Sequence, residues 1–331
     1  MISAESSYET LIGTDISRAA DLLKEGTLVA IPTETVYGLA ANALNTAAVL
    51  KIYQTKNRPQ FNPLIVHTSS LNEALKWTDS FPEEAIKLAE TYWPGPLTLL
   101  LPKSNLISDI VTAGSNLVAI RVPSHAMTQE LLQGINFPIV APSANPSGYV
   151  SPTNAQHVLE GLSGKIPYIL DGGSCRVGLE STIIGWNPEG KAVLHRPGGL
   201  DTDQIETILG YSLQRPVINN HHPLSPGQLK SHYAPHAPLF THEQELTDIN
   251  QIEGVYLIRF KEFHPSFPLA QQRILSASGS PEEAAQHLFS VLRELDALKP
   301  VRIYAEKLPS AGLGIAINDR LERAQHIWKH S

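Results

Sequence analysis

Cysteine is nearly absent from this chain of 331 residues: Cys175 stands alone. One cysteine excludes an internal disulfide framework and a cysteine-built zinc site, and it suits a reducing compartment. There is no run of about 18 uncharged apolar residues, the length a membrane-crossing helix needs. The opening MISAESSYETLIGTD has no basic region followed by an apolar run, so no secretory leader is expected and the expected location is the cytoplasm. Two nucleotide-binding loops are missing as well. GLSGK (161–165) and GLG (312–314) complete neither G-x-x-x-x-G-K-[ST] nor G-x-G-x-x-G. No G-x-S-x-G elbow offers a serine nucleophile, and no motif around Cys175 argues for a thiol one. Positive charge is scarce too. The 25 Lys and Arg against 32 Asp and Glu leave a net charge of −7, which argues against a general nucleic-acid binder but permits a local basic patch. His221, His222, His232 and His236 fit no standard zinc spacing, so no metal site is expected.

What is present is ordinary globular material, 42% hydrophobic and 17% charged, with length enough for two domains. Short apolar runs at 27–31, 63–67, 96–102, 117–122, 137–141, 167–171, 181–186 and 192–196 alternate with helical patterns at 15–25, 45–56, 82–92, 125–133 and 153–161. Some runs follow one another with no helix between, which favours a mixed α/β sheet over a purely parallel one. Ser151 is positioned to cap the helix at 153–161, with Pro152 at its first position. Residues 201–240 carry little apolar periodicity and include the turn-rich INNHHPLSPG. The expected organisation is a first domain over 1–204, a linker over 205–237 and a small α/β domain over 238–331. In that last domain 254–260 and 301–308 read as strands, and 280–298 and 314–328 as helices. Ser280 and Pro281 give the helix at 280–298 a consistent start.

Polar residues gather where the apolar runs of the first domain end, the place where open α/β sheets bind ligands. In LVAIPTETVYGLA (28–40) the hydroxyls of Thr33, Thr35 and Tyr37 could hold a small polar ligand or simply bond their own backbone. Lys56 and Arg58, beside Pro59, could form a phosphate clamp or merely complement a helix dipole. Arg121, near the end of an apolar strand, needs either a structural carboxylate or a ligand's. Ser143, Asn145, Ser147 and Ser151 follow a strand in VAPSANPSGYVSPTN, and Ser181, Thr182 and Arg196 follow later. The linker segment SPGQLKSHYAPHAPL (225–239) carries Lys230, His232, Tyr233 and His236, an unusual set for a plain tether.

Assembled, these stretches resemble the two-domain form of the threonylcarbamoyl-AMP synthases, a YrdC-like family. PTETVYGLA (32–40), the K-x-R of Lys56 and Arg58, NPLIVH, AIRVP, the S-x-N of Ser143 and Asn145, ESTI and RPG occur in the family's order and spacing. SPGQLKSHYAP resembles the family linker, with Gln228 where Met is usual, and GLGIAINDRLERA (312–324) resembles the end of its second domain. The resemblance implies a YrdC-like twisted mixed sheet with a concave electropositive face, followed by a Rossmann-like second domain. It implies that L-threonine, bicarbonate or CO2, and ATP give threonylcarbamoyl-adenylate and pyrophosphate. A separate tRNA threonylcarbamoyl transferase would then modify the adenosine beside the anticodon, with tRNA contacted here weakly or indirectly. It further implies that Thr35, His67, Arg121 and Ser181 hold threonine. Lys56, Arg58, Asn62, Ser143, Asn145, Ser151 and Arg196 would hold ATP and the reacting carbamate, with Lys56 and Arg58 as the catalytic pair and Tyr233 laid against the nucleotide. Magnesium would accompany the triphosphate, and the linker would close over the nucleotide as a lid. Three other readings stay open at this point: an RNA-binding factor without catalysis, a carbamoyl-transfer enzyme, and a small-molecule sensor.

Overall fold

The structure, a computed structural model, describes residues 8–215, 232–241 and 253–325. The first domain begins β1 (Leu11–Gly13), α1 (Ile16–Lys24), β2 (Val29–Ile31), β3 (Gly38–Asn42), α2 (Thr46–Lys56), β4 (Ile65–His67), α3 (Leu71–Leu75) and α4 (Glu83–Tyr92). It continues β5 (Leu97–Pro102), α5 (Asp109–Thr112), β6 (Leu117–Arg121), α6 (Ala126–Gln133), β7 (Ile139–Val140) and α7 (Ala155–Leu162). It closes with β8 (Tyr168–Leu170), β9 (Thr182–Trp186), β10 (Ala192–Arg196) and α8 (Thr202–Leu209). The strands form one mixed sheet in the order β1-β8-β2-β3-β7-β4-β6-β5-β9-β10.

Alternation along the central strands decides what lies on each face. Val66, Leu99, Leu101, Val118 and Ile120 point into the main core with Ala48, Ile52, Leu88 and Val158 of the helices. On the opposite face α1 and α6 cover one end of the sheet through Ala19, Leu23, Leu131 and Leu132. Ile65, Leu100, Ala119 and Ile183 form only a small apolar patch on their side of β4, β6, β5 and β9. That part of the sheet is where the polar residues collect.

Two expectations about helices need correcting. The helix read at 153–161 starts at Ala155 and is capped by Asn154, whose side chain accepts from the His157 N–H. Ser151 has a different partner, described below, and Pro152 lies outside the helix. The linker read from residue 205 begins later: 205–209 complete α8, and Gln214 still bridges to Val193 of β10. The linker residues 216–231, including Ser225, Pro226, Gly227, Gln228 and Lys230, lie outside the described residues, as do His221 and His222.

The second domain is a four-stranded parallel sheet in the order β11 (Leu239–Phe240), β14 (Arg302–Ala305), β12 (Val255–Arg259), β13 (Gln272–Ile274). Two helices complete it, α9 (Pro281–Ala297) and α10 (Leu313–Gln325). The Ser280 side chain caps α9 by accepting from the Glu283 N–H, and Pro281 opens the helix, as read from the sequence. Its core is continuous with the first domain: Val36, Val150 and Leu179 pack in one cluster with Tyr233, Leu288, Phe289 and Ile317. The domains are also joined by hydrogen bonds, for Arg293 Nη2 donates to the Val150 carbonyl at 2.6 Å.

Candidate active site

A small cavity of about 50 Å3 lies on the patch-bearing face of the sheet, under residues 232–233 of the linker. Thr35, Arg58, His67, Arg121, Ser143, Ser181, Arg196 and Tyr233 line it, together with Val36, Ile65, Ala141, Pro142, Glu180 and His232. Eight of the twelve site residues named from the sequence are therefore gathered in one place. The site sits on the face of the sheet, because Ile65 and His67 share a face of β4 and His67 lies beside Arg121 in register. A larger hollow of about 700 Å3 opens between the domains, lined by Tyr149, His157, His236, Arg293 and Asp296 among others, but it holds none of the twelve.

Arg121 has the structural carboxylate that the sequence allowed for. Its guanidinium pairs with Glu34 at 2.7 Å, donates from Nη1 to the Thr35 hydroxyl at 2.9 Å and from Nε to the Gly95 carbonyl at 3.2 Å. Burial alone would raise the Glu34 pKa, but Arg121 outweighs it and holds the carboxyl below its usual range. The loop before β3 is equally divided. The Thr33 hydroxyl donates to the Val36 carbonyl at 2.6 Å and so serves the backbone, while Thr35 faces the cavity. His67 Nδ1 lies 3.0 Å from the Ile65 carbonyl, which can only accept, so Nδ1 carries the proton and Nε2 is an acceptor. Burial, then Arg121, pushes the His67 pKa down to about 3.

Lys56 and Arg58 part company. Helix α2 ends at Lys56, and Asn57 takes a left-handed φ of 53° that turns the chain. Arg58 folds back to donate to the carbonyls of Asn62 at 3.2 Å and Pro63 at 2.8 Å and still lines the cavity. Burial lowers its pKa to about 10. The Lys56 amine is only 2% exposed and does not line the cavity. It donates to the Ser143 and Asn145 carbonyls, bracing that loop from behind. Burial, then Arg58, holds its pKa well below the usual lysine value. Asn145 turns its amide to the Pro146 and Tyr149 carbonyls, at 3.0 and 2.8 Å. Asn62 is buried, and neither side-chain polar atom has a hydrogen-bond partner. The Ser151 hydroxyl donates to Glu180 at 2.6 Å. These four residues form a layer behind the cavity wall.

Ser181 and Arg196 complete the far wall. The Ser181 hydroxyl lies 2.7 Å from that of Thr98, and Arg196 donates to the Ser181 carbonyl at 2.9 Å and hydroxyl at 3.1 Å. A register shift in β10 between Leu194 and Arg196 brings Arg196 to this position. The RPGG turn fits against it closely: a Cβ on Gly198 would meet the Glu180 carbonyl oxygen at 2.4 Å. Tyr233 closes the cavity. Its φ of 66° is in the left-handed region, which costs a non-glycine residue about 1–2 kcal/mol. Its ring stacks on Phe289 at 5.6 Å, with the His232 ring edge-on at 4.0 Å.

Sequence reasoning gave no site role to Glu180, which lines the cavity, or to Glu34, which pairs with Arg121 beside it, and it singled out His232 in the linker without assigning it a ligand. The two glutamates are spoken for by arginines, and no cluster of three His, Cys, Asp or Glu suited to a metal exists among the described residues. Among the described residues there is thus no such ligand set for a resident magnesium ion. No helix among the described residues is long and apolar enough to cross a membrane.

Comparison with known proteins adds a separate line of argument. A family profile for the Sua5, YciO and YrdC proteins, described as telomere recombination, matches residues 21–198. A second, described as the threonylcarbamoyl-AMP synthase C-terminal domain, matches residues 200–325. The threonylcarbamoyl-AMP synthase of Bacillus subtilis is 42% identical over 320 residues, 93% of this chain and 92% of the relative. That of Pyrococcus abyssi is 40% identical over 318 residues, 92% of each chain. The crystal structure of P. abyssi Sua5 complexed with L-threonine superposes with a TM-score of 0.88 at 38% identity, over 96% of this chain and 97% of that one.

Proposed function

This chain belongs to the threonylcarbamoyl-AMP synthase family in its two-domain form, and from that membership we propose that it joins L-threonine, bicarbonate or CO2, and ATP into L-threonylcarbamoyladenylate, releasing pyrophosphate. The observation that carries the reading is the convergence of Thr35, His67, Arg121 and Ser181 with Arg58, Ser143, Arg196 and Tyr233 on one cavity. Hydroxyls and a fixed arginine suit an amino acid, and further arginines suit phosphate.

The chemistry needs no enzyme nucleophile. The threonine amine adds to CO2, losing a proton, and the carbamate oxygen attacks the α-phosphorus. A P–O bond forms there as the bond to pyrophosphate breaks. The protein's work is alignment and charge stabilisation. Arg121, held by Glu34 and Thr35, receives the threonine carboxylate. His67 Nε2 accepts from threonine's ammonium or hydroxyl and, with so low a pKa, acts as an acceptor and not as a proton store. Arg58 and Arg196 meet the phosphates. Lys56 acts one step back, fixing the Ser143–Asn145 loop. Magnesium would arrive with the triphosphate as part of the substrate.

About 50 Å3 holds a water or two, whereas sites for ligands of drug size measure roughly 300–1,000 Å3. ATP therefore requires His232 and Tyr233 to withdraw and to close again over it, excluding water from two hydrolysable species. The product would pass to a separate tRNA-modifying transferase, in the cytoplasm. The test is pyrophosphate release with threonine and bicarbonate each omitted in turn. Release that needs both is expected, and release indifferent to threonine would overturn the reading. Tyr233→Ala should raise the KM for ATP or lower the yield of intact adenylate, and unchanged kinetics would remove the lid.

A further inference from the structure

The motif GLGIAINDRLERA has no part in the chemistry so far, yet it sends one side chain deep into the site's surroundings. Arg320 of α10 is fully buried. Its Nε donates to Glu180 at 2.9 Å, and its Nη1 donates to the Pro197 carbonyl at 2.9 Å and to Asp319 at 2.8 Å. Its guanidinium carbon lies 5.1 Å from the centre of the Tyr233 ring, within cation–π reach. Glu180 accepts on its other oxygen from Ser151 and itself lines the cavity, immediately before Ser181. One residue of the second domain therefore touches both the fixed wall of the site and its closing aromatic residue.

We propose that Arg320 is a positioning residue through which the second domain seats the lid: its edge grips Glu180 and Pro197 of the first domain while its face receives Tyr233. Arginine suits this work because a planar fork can bond along its edge and stack on its face at once, which a lysine ammonium cannot. Stability alone does not account for it, since a buried ion pair is commonly matched or bettered by apolar residues of similar volume. Tyr233 also needs external support to hold its left-handed backbone. The segment's other contacts lie away from the ring: His232 N–H donates to the Arg323 carbonyl at 3.3 Å, Ala234 N–H donates to the Gly148 carbonyl at 2.9 Å, and the His236 side chain meets Asp296 at 2.8 Å. The ring's orientation is set by Arg320, Phe289 and His232 within the apolar cluster it shares with Val36, Val150 and Leu179.

What the seated lid does for turnover rests on the proposed function, but the seating itself does not. The test therefore has two arms on the full chain. In the first, hydrogen exchange is followed at the Ala234 amide in wild type, Arg320→Lys and the charge-neutral double variant Glu180→Gln/Arg320→Met. The double variant removes both members of the Glu180–Arg320 pair together, so neither is left charged alone, should a single change unfold the protein. Exchange at Ala234 should rise about tenfold relative to amides in the middle of α10, the scale of one lost cation–π contact. In the second arm, the KM for ATP should rise about tenfold while the calorimetric affinity for L-threonine alone changes less than about twofold. A purely structural arginine would lower the melting temperature and raise exchange throughout α10 in step, leaving the ATP KM alone, and that result overturns the proposal. If wild type releases no pyrophosphate, the functional reading fails while the exchange arm still decides the seating.

Discussion

Lys56 and Arg58 are two positions apart in sequence and look equivalent there, but folding assigns them to different layers. The Lys56 amine satisfies two loop carbonyls, and Arg58 borders the cavity. Lys56→Met should lower stability by about 1–3 kcal/mol, since the buried Asn145 carbonyl loses its donor while that of Ser143 keeps only the Asn145 N–H. Chemical denaturation checks this, and turnover should fall along with it as the Ser143–Asn145 loop relaxes. His67 supplies a pH signature. It stays neutral in the fold down to about pH 3, while an unfolded chain protonates it near pH 6.5. Between those values the unfolded state binds the extra proton, so stability falls as pH falls through that window. From pH 7.5 to 5.0 the loss from this residue should be about 2 kcal/mol, and His67→Gln should remove that share of the pH dependence in denaturation midpoints. The residue types at the site were legible in the sequence because each was chemically conspicuous in its motif. Their division into lining and support was not, because it depends on pairings such as Arg121 with Glu34 that only the sheet brings together.

Elements with strong apolar rhythm or a start signal are where the sequence was most readable, down to the Ser280 cap of α9. β3 escaped notice because GLAAN is built of small residues, and α3 and α5, at five and four residues, are too short to show a period. The cap of α7 was misplaced by three residues and its start by two because Ser151 and Asn154 are both good caps, and Glu180, distant in sequence, captures the serine. The two roles separate by substitution. Asn154→Ala should cost about 1 kcal/mol through the lost cap with little effect on turnover. Ser151→Ala should leave helix stability unchanged and act instead on the site through Glu180. Thermal denaturation paired with steady-state kinetics on both variants distinguishes them.

The two domains share a core cluster and buried polar contacts, so they should unfold as one cooperative unit despite the linker. Gly178 marks the docking plane. Its φ is 76°, and a Cβ there would meet the backbone of Gln286 at 2.5 Å and that of Ala285 at 2.6 Å on α9. Gly178→Ala should cost about 2–4 kcal/mol through backbone strain and overpacking. Calorimetry should then show a split or broadened transition in place of a single one. None of this was visible in the sequence, where GLEST reads as a turn before a strand. The partner surface lies more than 100 positions away.

Arg58, Arg121, Arg196 and Arg320 are buried, with Glu34, Glu180 and the half-buried Asp319 as the carboxylates among them. One surplus positive charge there, in a chain of net −7, leaves a formal −8 for everything else. At physiological salt, fixed charges are felt over about 8 Å, so a polyanion approaching from solution meets repulsion first and attraction only on reaching the mouth. Once His232 and Tyr233 have withdrawn, a nucleotide is small enough to make that passage, and a nucleic-acid duplex is not. Selection by depth of this kind reverses the usual effect of ionic strength: added salt should hasten the capture of ATP, where for a protein with a basic exterior it would slow it.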